Sequence, residues 1–149
     1  MNKILTGLLI ISSITFAGMQ KDMDYSGFDK IPTVELAKMM ANEMAKGVSL
    51  PMKLDDATQL TSIYSYRNNI IFRKELNINH PKIEKIWQQQ KNEFIQAILK
   101  SDSQNICYNS VWKYMIYKKN IIAEFNYIDT DNKPLFNYTI EIEDCNKLK

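Results

Sequence analysis

The chain has 149 residues, enough for one domain with a buried core and too few for two comfortable ones. Hydrophobic residues make up 45% and aromatic residues 11%, which excludes wholesale disorder. The formal net charge of +2 is close to neutral, which argues against nucleic acid as a partner, since such binders carry a larger and clustered basic excess.

The first segment reads as a signal for export. Lys3 supplies a short positive region, and Ile4 to Ile14 (ILTGLLIISSI) is an apolar run of h-region length. Thr15-Phe16-Ala17 then places small residues where a signal peptidase reads them, so cleavage is expected after Ala17, with Gly18 opening the mature protein. A membrane-spanning helix needs about 20 apolar residues. This run ends near Ala17, before polar Gln20-Lys21-Asp22, and no transmembrane segment is expected in the mature chain. No cysteine stands near the cleavage point to accept a lipid. The expected organisation is a signal peptide over 1–17, a flexible leader over 18–30 and a single domain over 31–149, in the periplasm or secreted.

Pro32 and Thr33 open the first helix, with Glu35 in its first turn. Leu36, Met40 and Met44 recur every four residues beside Ala37 and Ala41, which makes one apolar stripe, and Gly47 supplies the stop. The methionines read as core filling rather than as a soft binding surface or metal ligands. After Pro51 and Asp55-Asp56, Thr58 to Tyr66 and Ile70 to Leu76 are rich in β-branched and aromatic residues, with Arg67-Asn68-Asn69 as a turn between them. Tyr64 and Tyr66 share one strand face and are expected to be half-buried there.

Asn79 as N-cap and Pro81 in the first turn start a long helix to about Lys100, ended by Ser101-Asp102-Ser103. Its apolar face holds Ile83, Trp87, Phe94 and Ile98, interrupted by Gln90. Cys107 precedes a short amphipathic helix from Asn109 to Tyr117. Two alternating strands close the chain. One runs from Ile121 to Ile128. The other runs from Leu135 to Ile142, started by Pro134 after the turn Asp129-Thr130-Asp131-Asn132-Lys133. The fold class is therefore α+β: an antiparallel sheet of about four strands in two hairpins, flanked by two or three helices. An even cysteine count in an exported chain favours one disulfide, Cys107 to Cys145.

No catalytic residues are expected. His80, alone of its kind, sits at a predicted helix start and reads as a capping or surface residue rather than a general base. No metal site is expected, because the multi-ligand His/Cys spacing of zinc sites is missing. The Asp129-Thr130-Asp131-Asn132 opening of a calcium loop fails at Pro134, where Gly is needed, and at Ile140, where Glu is needed. Phosphate cradles, G-x-S-x-G elbows and C-x-x-C pairs are absent, so no cofactor is expected. No pair of carboxylates is singled out for glycoside chemistry, and Asn137-Tyr138-Thr139 fits a glycosylation sequon by chance in a strand.

What remains is a non-enzymatic binding module of the bacterial envelope whose partner is another envelope protein, with no binding residue singled out. The alternative is an inhibitor or immunity-type protein that blocks an envelope enzyme with a protruding loop, for which Arg67-Asn68-Asn69 and Asp129 to Lys133 are the candidates. The element order adds a resemblance. A Leu/Met helix leads to SLPMKLDDATQL (Ser49 to Leu60), a hairpin, a long helix, Cys107, a short helix and a last hairpin ending IEIEDC (Ile140 to Cys145). This resembles the small periplasmic pilotin-like domains of the AspS type that serve type II secretion. The resemblance implies a sheet flanked by helices, a disulfide, and a groove for the helical tail of an outer-membrane secretin.

Overall fold

The computed structural model describes residues 25–148. The expected signal peptide, the cleavage point at Ala17 and residues 18–24 of the expected leader lie outside the described residues. Within the remainder of that leader, Tyr25–Phe28 forms a 3-10 turn. Tyr25 stacks on Tyr114 at 4.8 Å between ring centroids, and the Tyr114 hydroxyl donates to Asp29 at 2.6 Å. Lys119 donates to the carbonyls of Asp29 and Ile31. Residues 25–30 of the expected leader are therefore packed against the helix that carries Tyr114 and Lys119 and the segment before Thr33.

Helix α1 spans Thr33–Lys46 and buries Leu36, Ala37, Met40, Ala41 and Met44, the stripe expected of it. Five strands follow in one sheet: β1 Met52–Lys53, β2 Thr58–Tyr66, β3 Asn69–Leu76, β4 Ile122–Ile128 and β5 Pro134–Ile140, in the spatial order β1-β2-β3-β4-β5. The expected count of about four becomes five because two residues before the first hairpin pair with Leu60 and Gln59. The two hairpins are both present, but they do not continue each other antiparallel. β3 and β4 run parallel, from Asn69 opposite Ile122 to Glu75 opposite Ile128. A parallel pair needs a long crossover, and the three helices between the hairpins supply it.

Those helices differ from the single long one expected. The stretch breaks at Gln90 (φ −139°, ψ 41°) into α2 Glu84–Gln89 and α3 Lys91–Tyr108, so Gln90 ends one helix and begins the next. Neither Asn79 nor Pro81 starts α2; both lie in turns before it, and Asn77 Oδ1 accepts from the Asn79 amide. α3 runs straight through Ser101-Asp102-Ser103, the expected stop, because Asp102 and Ser103 are buried against the sheet. Cys107 thus lies in the last turn of α3. Helix α4, Ser110–Lys119, begins at Asn109, whose Oδ1 accepts from the Val111 and Trp112 amides. It ends at Asn120 in the left-handed region (φ 53°), whose carbonyl accepts from Asn68 Nδ2 at 2.8 Å. That bond ties the end of the crossover to the first hairpin turn.

The last strand stops at Ile140, short of the expected Ile142. Glu141 and Asp144 form a capping box that starts α5, Ile142–Asn146. Cys145 in α5 bonds Cys107 in α3, with Cα atoms 5.2 Å apart. No helix among the described residues is long and apolar enough to cross a membrane.

Helices α1, α3 and α4 cover one face of the sheet. Leu60, Ile63, Ile70, Phe72, Leu76, Ala123, Phe125, Tyr127 and Ile140 face them and join α1, α3 and α4 residues in one core around Trp112, which is fully buried. Phe72 contacts Trp112 and stacks on its cross-strand neighbour Phe125. The opposite face carries no helix among the described residues. Ile71 and Ile128 are buried on it without belonging to that core.

Candidate functional site

Two polar regions stand out, one on each side of the same strands. On the covered side, Lys74 of β3 points at α3. Its ammonium donates to both carboxylate oxygens of Asp102, at 3.2 and 3.4 Å, and to the Tyr127 hydroxyl at 3.1 Å. Tyr138 of β5 donates to Asp102 as well. The ammonium lies 4.7 Å from the Phe125 ring centroid and 5.3 Å from that of Tyr127, so aromatic faces replace the water it gives up. Burial alone would lower the Lys74 pKa, but Tyr127 and Asp102 outweigh it and hold the ammonium above its ordinary value. Burial pushes the Tyr127 hydroxyl up to about 12, and burial also raises Tyr138, helped by Tyr127 and Asp102. The cluster is a satisfied ionic tie between α3 and three strands. It is closed to solvent, with the Lys74 and Asp102 side chains 12% and 10% exposed.

On the open side, the twisted sheet forms a shallow depression of about 440 Å³ that runs from Tyr64 across Arg73, Glu124 and Asn126 to Leu135 and Asn137. Glu124 is fixed in it by two amides: Asn69 Nδ2 donates at 2.7 Å and Asn126 Nδ2 at 3.1 Å. Arg73 forms no ion pair among the described residues. Tyr64 and Tyr66 are 43% and 62% exposed, so the half-buried setting expected for them is corrected. Their strand face is the one the helices leave bare, and alternation alone does not say which face that is. The depression ends at β5, which has no strand on its outer side among the described residues.

The residues singled out from sequence are dispersed. His80 lies before α2, where its Nδ1 accepts from the Lys82 amide at 3.3 Å, a local turn contact. The turn at Arg67 and Asn68 is a tight one in which Arg67, not an asparagine, takes positive φ (54°). In the second turn Asp129 Oδ1 accepts from the Asp131 and Lys133 amides, each at 2.8 Å, so that carboxylate shapes the loop. The methionine stripe is core. Arg73, Glu124, Asn126 and Asn137 escaped notice because they are ordinary polar positions of alternating strands. Only the pairing register puts Arg73, Asn126 and Asn137 in one row, with Arg73 opposite Asn126 and Asn126 opposite Asn137, and sets Glu124 two residues along β4 on the same face.

No family profile matches the sequence, and no curated protein matches it. Solved structures do match. The pilotin EpsS of the Vibrio vulnificus type 2 secretion system superposes with a TM-score of 0.61 at 12% identity, over 80% of this chain and 97% of that one. The type II secretion pilotin AspS of Vibrio cholerae gives 0.59 at 12% identity, over 81% and 99%. A candidate secreted protein of Pseudomonas aeruginosa gives 0.60 at 13% identity, over 76% and 96%. The chain has a pilotin-like fold.

Proposed function

We propose that this protein is an exported, non-enzymatic binding module of the bacterial envelope that docks a peptide or helix of a secretion-system component, in the manner of a pilotin. The observation that carries the reading is the fold: two pilotins match it over nearly their whole length. The export signal read from Lys3, the apolar run and Ala17 agrees with it, as does a disulfide, which persists in an oxidising compartment. The client favoured by the resemblance is the helical tail of an outer-membrane secretin.

The test is affinity capture with the mature protein as bait, from periplasmic and membrane extracts of its own source, followed by mass spectrometry. Enrichment of a secretin, confirmed by binding of its isolated C-terminal tail, supports the reading. Retention of a cell-wall hydrolase instead, or of nothing at micromolar bait, overturns it. Mass spectrometry of the secreted and periplasmic fractions should find a chain that starts at Gly18.

A further inference from the structure

The two edges of the sheet are protected unequally. The β2 edge is covered by β1 at Gln59 and Leu60, and its register is broken between Leu60 and Ser62. Lone strand edges are normally guarded by such short covering strands, by bulges, by proline or by charge. β5 has only Pro134 at its start and an irregularity beside it, where Ile128 pairs. From Phe136 to Ile140 its pairing with β4 is regular, and the whole strand, PLFNYTI, contains no charged residue. Its outer backbone groups have no strand partner among the described residues. Asn137 and Thr139 are exposed and Leu135 is half-buried.

The sequence of this edge fits itself. Laid antiparallel on a second copy about Asn137, Phe136 of each chain falls opposite Tyr138 of the other, Leu135 opposite Thr139, and Asn137 opposite Asn137. No like charges meet, and the asparagine amide can both donate and accept across the two-fold. Side chains stay on matching faces, because positions 136 and 138 both point to the helix side. There, Phe136 and Tyr138 already belong to a row stacked with Tyr127, at 4.4 Å from Tyr127 to Phe136. The join would carry that aromatic row from one chain into the next. A net charge of only +2 does little to hold two copies apart.

We propose that β5 is a homodimerisation edge, at which two copies pair antiparallel about Asn137 into one continuous sheet. This does not rest on the docking reading, since it concerns only the chain and its copy.

The test is sedimentation of the mature protein up to about 1 mM, which covers weak association, beside N137K and N137D. Circular dichroism confirms that these variants of an exposed residue stay folded. The wild type should double its mass with rising concentration. Each variant, placing like charges face to face, should weaken association by about tenfold, and an equimolar mixture of the two should restore it. A wild type that stays monomeric overturns the proposal, including one that takes up an extended peptide of another protein instead. So do variants that associate like wild type, or a mixture no tighter than its components.

Discussion

Arg73 and Lys74 are neighbours in β3 and point to opposite faces, so they compare the two sides of the sheet with everything else equal. Lys74 enters a closed space and meets Asp102, Tyr127 and two aromatic rings. Arg73 enters an open depression and meets no ion-pair partner among the described residues. A buried cation must be neutralised and hydrogen-bonded, whereas a half-exposed one keeps water. The covered face thus fixes α3 in place, and the open face leaves Arg73 without an ion pair among the described residues.

That comparison predicts unequal costs. Lys74→Met leaves Asp102 buried without a cation, and removing one partner of a buried pair costs about 3 to 5 kcal/mol. Arg73→Met should cost no more than about 0.5 kcal/mol. Urea titrations of both variants measure the difference, and equal midpoints would refute the distinction between the faces. The double variant Lys74→Met with Asp102→Leu should recover part of the loss, because the stranded charge is gone.

The same cluster sets a pH dependence. Lys74, Tyr127 and Tyr138 all hold their protons more tightly when folded than when unfolded. Their contribution is therefore complete below the unfolded values, near pH 10, and is lost as pH rises through about 12, where Tyr127 titrates. The urea midpoint should fall from about pH 10 upward. Tyr127 and Tyr138 should ionise at higher pH than free tyrosine, which phenolate absorbance follows. A midpoint that stays level to pH 12 would show that the cluster contributes no such linkage.

The disulfide belongs to the buried core of the covered side. It fastens the last turn of α3 to α5, just beyond β5, and closes a loop with a sequence separation of 38. On chain entropy its loss costs up to about 4 kcal/mol, and about 2 to 4 kcal/mol is typical. Replacing Cys107 and Cys145 together by alanine should lower stability by that amount in thermal unfolding without changing the sheet, as far-ultraviolet circular dichroism would show. A change below about 1 kcal/mol would mean that the unfolded chain is already held together there.

Local periodicity was enough to reveal α1, both hairpins and the paired cysteines, because each depends on spacing within a few residues or on compartment. The parallel β3–β4 pair was not legible: two hairpins are compatible with either orientation, and only the crossover decides. Ser101-Asp102-Ser103 looked like a helix stop on propensity, yet Asp102 belongs to the buried cluster, and tertiary contacts override a weak local preference. Of the candidate site almost nothing showed, since Arg73, Glu124 and Asn126 acquire meaning only through register.

The smallest expected effects lie on the open face and separate its two tyrosines. Tyr64 stands directly opposite Ile71, which is 5% exposed on a face that carries no helix among the described residues. Something on that face must shield Ile71, and the cross-strand ring is the nearest large group by register. Tyr66 stands opposite Asn69 near the turn, and its ring meets Arg67 at 5.4 Å, an exposed contact. Tyr64→Ala should therefore cost about 1 kcal/mol through lost cross-strand packing, and Tyr66→Ala about 0.5 kcal/mol or less. Urea unfolding of the two variants orders them. If Tyr66→Ala were the costlier, the shield over Ile71 would have to come from another side chain, with Glu124, the other cross-strand neighbour of Ile71, next to be tested.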